Sequence, residues 1–166
     1  MTRGPDRHPE LPLDPDAPDE ATPARPLHFR ADALALVVAG GFVGTLGRYG
    51  LADLAPTRAG AWPWGTFVAN IGGAFVLGVL LELLALNGPD AAWRQRARLL
   101  LGTGFCGALT TYSTLAVETD LLIRSRDVGL ASGYLAASVA GGLLATAVGV
   151  GIVSTRDSSR QAGVPS

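Results

Sequence analysis

The chain has 166 residues, 48% of them apolar and only 16% charged, with a mean hydropathy of +0.32. That is too apolar for an ordinary small soluble domain, and the apolar residues come in blocks, so a membrane protein is the first reading. The net charge of -1 arises from charges confined to the N-terminal stretch and short loops, which excludes a basic surface for nucleic acid, and the single Cys106 excludes a disulfide framework or a cysteine–histidine zinc site.

Residues 1–30 hold seven of the eleven prolines and six acidic residues, with few large apolar side chains. Such a stretch cannot bury enough surface to offset its ordering entropy, so a disordered cytoplasmic tail is expected, with His8 and His28 solvated. It also lacks the short basic region and apolar core of a signal peptide.

Four apolar runs follow, at about 33–54, 65–86, 99–123 and 130–153. Each reaches the roughly 20 residues that carry a helix across about 30 Å of hydrocarbon. A soluble bundle would show a polar face every 3.6 residues, and AFVLGVLLELLAL and YLAASVAGGLLATAVGVGIV show none. The sequence thus predicts an all-α membrane protein, with a four-helix transmembrane domain over 31–155 and a short C-terminal tail over 156–166. Trp62, Trp64 and Trp93 stand where an interfacial aromatic belt would place them. Every basic residue is an arginine. Seven of them (Arg25, Arg30, Arg94, Arg96, Arg98, Arg156 and Arg160) flank the side that carries both termini, against three (Arg58, Arg124 and Arg126) opposite. This bias predicts a multi-pass protein of the cell membrane, surrounded by lipid, with both termini cytoplasmic.

Small residues mark where helices can approach. Gly40, Gly44 and Gly47 share a face, as do Gly72, Gly73 and Gly78 in the second run and Gly141, Gly142, Ala145 and Gly149 in the fourth. The first set is not a dinucleotide-binding loop, because it follows no strand and has no suitably placed acid beyond it. Four thin helices enclose a pathway poorly, so a two-fold pair is expected.

Polar groups inside the runs carry the functional signal, since a charge at mid-membrane costs at least about 2.5 kcal/mol. Arg48 fits either a snorkelling anchor or an electrostatic role at a pore mouth, and Asn70 either a helix-to-helix hydrogen bond or a pathway role. Glu82 and Asp120 lie near span ends and read as solvated. Glu118 lies deeper and could close a local hydrogen bond or pair with an arginine. Thr110, Thr111, Tyr112, Ser113 and Thr114 form an unbroken hydroxyl run, which cannot all return to carbonyls four residues back. With Gly102, Gly104 and Gly107 before it, the run predicts an interruption of the third span that exposes backbone carbonyls, an arrangement that often coordinates ions. Tyr134 and Ser138, four apart, could continue a polar stripe. Together these residues suggest a narrow path whose donors suit a small anion, without naming it. No nucleophile–base–orienter set appears, so an enzyme is not expected.

GGFVGTLGRYG (40–50), GTFVANIGGAFVLG (65–78) and GFCGALTTYSTLAVE (104–118), in this order on four short spans, closely resemble the CrcB/Fluc family of fluoride channels. The likeness covers roughly 34–153. It implies an antiparallel dimer with narrow pores for the fluoride ion and a central structural sodium ion (Na+) held by backbone carbonyls at the break. Carried over by position, Gly107 and Thr110 would supply those carbonyls. Asn70 would match the pore asparagine, Arg48 the arginine of the first motif, and Glu118 the glutamate after the break. Ser113, Thr114, Tyr134 and Ser138 would lie along the pore.

The chain departs from the family at the third motif, whose pattern TTFSTF has two pore-lining phenylalanines where this sequence has Tyr112 and Leu115. A ring edge carries partial positive charge that can face an anion. Tyrosine keeps it and leucine does not. A subunit that inserts both ways should also carry little arginine bias, whereas this chain is strongly biased. Both departures predict pairing with a homologous second subunit rather than with itself. The competing readings are a small multidrug-type proton-coupled exporter, which would want an embedded carboxylate in the first span, and a non-conducting accessory subunit.

Overall fold

The computed structural model describes residues 30–58, 60–86 and 92–162, from 156 onward by backbone alone. The expected N-terminal tail, with Arg25, and the side chains of Arg156 and Arg160 lie outside the described residues. Those described are helical apart from connections, and four helical stretches among them are long and apolar enough to cross a membrane.

Helix α1 (Ala31–Leu54) opens on an Arg30–Asp32 ion pair at 2.8 Å and stops ahead of Pro56. Helix α2 (Trp64–Leu86) starts directly after the buried Pro63, whose fixed φ is already helical and whose missing N–H would have had no partner. The third span is composite. It runs through α3 (Ala92–Ala97), a π-helical stretch (Arg98–Cys106), one short turn α4 (Gly107–Leu109), a break at Thr110 and Thr111, and α5 (Tyr112–Arg124). It starts ahead of the apolar run, because the arginine-rich turn is itself helical. Helix α5 ends where Arg126 turns left-handed at φ 64°, with Asp127 N–H bonding the Leu122 carbonyl and Arg126 N–H that of Ile123. The Asp127 side chain then caps α6 (Val128–Ala162) by accepting the Leu130 N–H at 3.1 Å. Helix α6 continues through the start of the expected C-terminal tail, where residues 156–162 hold no glycine or proline.

Packing follows the small residues. The main pairings are α2 with α6 and α1 with the π-helical stretch. A Cβ on Gly40 would collide with the Leu100 carbonyl, one on Gly44 with the Phe105 carbonyl, and one on Gly104 would stand 2.7 Å from the Val37 carbonyl. On the other side, Gly149 lies against α2, where its Cβ would meet the Phe75 carbonyl at 2.6 Å, and Gly78 lies as close to the Thr146 backbone. Glycine is required at these contacts because backbone, not a yielding side chain, occupies the space. Gly72 faces open space.

Candidate functional site

The break forms because α2 supplies what the third span gives up. Thr110 (φ −79°, ψ 153°) and Thr111 (φ −151°, ψ 121°) are extended. Asn70 holds them there. Its amide donates to the Thr111 carbonyl at 3.2 Å and accepts the Thr111 N–H at 2.8 Å. One side chain thus satisfies both backbone groups of a residue that has left the helical ladder.

The hydroxyl run resolves into local duties. Thr110 donates to the Cys106 carbonyl four residues back at 2.9 Å. Thr111 caps α5, its hydroxyl accepting the Thr114 N–H at 3.1 Å and donating to the Thr114 hydroxyl at 3.0 Å, with Ser113 at 3.2 Å. Tyr112 does none of this; it is 81% exposed.

Two carbonyls come out of this arrangement without their helical donors. In a continuous helix Thr111 N–H would serve the Gly107 carbonyl and Thr114 N–H the Thr110 carbonyl. Here the first goes to Asn70 and the second to the Thr111 hydroxyl. Gly107 and Thr110 are the pair expected from the resemblance to hold a cation, and their freed oxygens are the hard ligands that sodium takes. Among the described residues no group of metal-binding side chains gathers, so such an ion would rest on backbone oxygen.

Beyond the break, Glu118 is the hub. Thr66 donates to Glu118 Oε1 at 2.9 Å, Thr57 to the same oxygen at 3.4 Å, and Tyr134 to Oε2 at 2.7 Å. Neither reading expected for this glutamate, a local hydrogen bond or an arginine pair, is the one found: it is hydrogen-bonded, but by hydroxyls distant in sequence. Thr66 and Thr114 also line a cavity of about 270 Å³ together with Thr45, Arg48 and Tyr49. Arg48, Thr114, Thr66, Glu118 and Tyr134 therefore form one polar route along α1, α2, α5 and α6. Ser138 lies one turn beyond Tyr134, 6% exposed.

The remaining expected positions differ in kind. Tyr112 and Leu115 border the same groove of about 250 Å³ with Thr119 and Leu135. Yet Leu115 turns inward, packed with Leu122, Ala131 and Tyr134. Glu82 is half-buried rather than solvated, because the Ser154 hydroxyl donates to it across α2 and α6 at 2.7 Å. Asp120 is exposed and pairs with Arg124 at 2.7 Å. Trp64 and Trp93 are exposed as a belt requires, but Trp62 folds inward and packs on the Leu115–Tyr134 cluster. Thr66 was not singled out from sequence. The available signal was its place in GTFVAN, four residues before Asn70 and hence on the same helical face. Thr57 gave no such signal, since its bond to Glu118 spans a loop.

The fold and this site define a small multi-pass membrane protein built around an interrupted helix and an internal hydroxyl–carboxylate chain. Residues 35–150 match the model of a protein family described as CrcB-like protein, Camphor Resistance (CrcB). A relative from Mycolicibacterium paratuberculosis, named fluoride-specific ion channel FluC 1, is 48% identical over 112 residues, covering 68% of this chain and 83% of the relative. Another from Leifsonia xyli subsp. xyli, named fluoride-specific ion channel FluC 2, is 46% identical over 127 residues, covering 76% and 87%. A third, from Novosphingobium aromaticivorans and named fluoride-specific ion channel FluC, is 38% identical with 95% of its length covered. The chain belongs to the CrcB-like family. It is a membrane transport protein of a non-enzymatic class.

Proposed function

We propose that this chain is a subunit of a fluoride-specific channel that lets cytoplasmic fluoride leave by passive flow and so relieves its toxicity. The observation that carries the reading is the Asn70-held break beside a chain of hydroxyls on Glu118, in a family whose relatives bear that name. Fluoride is small and tightly hydrated, and a pathway must replace its water with donors. Arg48 at the cavity draws the anion in, and the hydroxyls of Ser113, Thr114 and Ser138, with the Tyr112 ring edge, face it, while Tyr134 lines the path with its hydroxyl bonded to Glu118.

The functional unit is an antiparallel dimer in the cell membrane with both termini of this chain cytoplasmic. A sodium ion at the Gly107 and Thr110 carbonyls supplies a fixed positive charge that ties the break together. Its partner is a homologous second subunit inserted the other way, because the arginine bias commits this chain to one orientation and Leu115 presents no ring. An exporter exchanging protons for cations would want a carboxylate within α1, where Asp32 and Asp53 lie only at the ends.

The test is fluoride efflux from liposomes, read with a fluoride-selective electrode and repeated with chloride. The chain is reconstituted alone and together with a homologue inserted oppositely. Fluoride-selective flux from the pair is expected, with little from the chain alone. Robust flux from the chain alone would overturn the heterodimer; no flux in either case would overturn the channel.

A further inference from the structure

Trp62, partly buried in the loop just ahead of α2, packs against the helices, and that packing leaves a polar atom stranded. Its ring meets Tyr134 edge-to-face at 5.4 Å and Phe67 at 5.5 Å, with Trp64 at 5.9 Å. The indole nitrogen is thereby closed off from solvent, and no acceptor among the described residues takes its N–H. Buried indole N–H groups usually find a partner, and one that does not calls for an explanation outside the chain itself.

A second observation points the same way. The Ser138 hydroxyl is buried and likewise has no partner among the described residues. It sits one turn along α6 from Tyr134, the residue on which Trp62 packs. The Tyr134 hydroxyl is itself committed to Glu118. Unmet donors thus stand on either side of one buried tyrosine, Trp62 on the side of the α1–α2 loop and Ser138 one turn further along α6. A set with donors to offer suits a ligand that accepts hydrogen bonds and gives none, which is the chemistry of a small anion.

We infer that the Trp62 indole N–H donates to the permeating anion and extends the pathway one contact past Tyr134 toward the α1–α2 loop. The inference rests on the channel reading above. Edge-to-face packing on Tyr134 and Phe67 fixes the ring, and the buried Pro63 beside it fixes the backbone, so the donor is held in place before an ion arrives.

The assembly that conducts, labelled with ¹⁵N at its indoles, is titrated with sodium fluoride and separately with sodium chloride while the indole signals are followed by NMR. Trp62→Phe keeps a ring for packing, removes the donor and assigns the signal; Trp64→Phe serves as the control. The Trp62 signal is expected to move saturably with fluoride and not with chloride, and Trp62→Phe to slow efflux about tenfold while Trp64→Phe does not. A Trp62 signal indifferent to fluoride in a conducting native assembly, as when only a bridging water sits there, overturns the inference and leaves the channel standing. So does native flux from Trp62→Phe. If that variant does not fold, Trp64→Phe and Trp93→Phe assign the Trp62 signal by elimination and the native titration decides. A native assembly that passes no fluoride defeats the channel reading itself, and this inference with it.

Discussion

Asn70 commits both ends of its amide to Thr111, the residue at which the third span leaves the helical ladder. Asn70→Leu leaves a buried N–H and a buried C=O without partners, a loss of about 1–3 kcal/mol for each unmet group. The expected outcome is a lower melting temperature in detergent and loss of fluoride flux, measured on the same preparation. Leu115 is a different case. Its side chain is packed inward with Leu122, Ala131 and Tyr134 but also borders the groove beneath Tyr112, which leaves room for a larger side chain to swing. Leu115→Phe is expected to raise efflux severalfold, at a stability cost of about 1–3 kcal/mol if the ring stays in the core and less if it enters the groove. The electrode assay and a melting curve, run together, read both effects; unchanged flux would mean that this position needs no ring.

At the scale of elements, the glycines divide into those that seat a neighbour and those that do not. Gly40 leaves no room for a Cβ against the Leu100 backbone, whereas Gly50, on the same helix, meets nothing within 4 Å. Gly40→Ala should lose roughly 1–3 kcal/mol through overpacking, while Gly50→Ala should be neutral or gain up to about 1 kcal/mol from helix propensity. Paired melting curves test the contrast. The turn between α5 and α6 holds a non-glycine residue in left-handed geometry at Arg126, φ 64°. Arg126→Gly relieves that strain, and a gain of about 1 kcal/mol is expected. The sequence marked Gly40, Gly44, Gly78 and Gly149 where helices do meet, but spacing alone could not separate them from Gly72, which meets none. For Gly40 and Gly44 that depends on the π-helical stretch bringing its carbonyls against α1.

At the scale of the whole molecule, most of the apolar surface of the spans faces outward. Only 11% of the apolar window in α1 and 17% of that in the fourth span are buried within the protomer. The groove beside Tyr112 and Leu115 lies on that outward surface as well, and it is where the proposed second subunit would seat. The arginine asymmetry predicts one orientation, checked by fusing a fluorescent or an alkaline phosphatase reporter to the C-terminus. A bright fluorescent fusion with an inactive phosphatase is expected. Equal activity of the two would mean dual insertion and would remove the main support for a heterodimer.

Four spans, the interrupted third and the family were legible from hydropathy and three motifs, because helix length and membrane thickness act on any run of sequence regardless of its neighbours. The break itself could be placed from the hydroxyl run, since successive hydroxyls and glycines weaken a helix locally. What tertiary structure alone decided is where each polar group finds its partner. Glu118 draws on Thr57, Thr66 and Tyr134, Asn70 reaches Thr111, and Trp62 turns from the interface to Tyr134, all across separations that no local pattern encodes. The reason is that hydrogen bonds in an apolar interior are directional over about 3 Å, so partners are set by how the helices pack rather than by spacing along the chain.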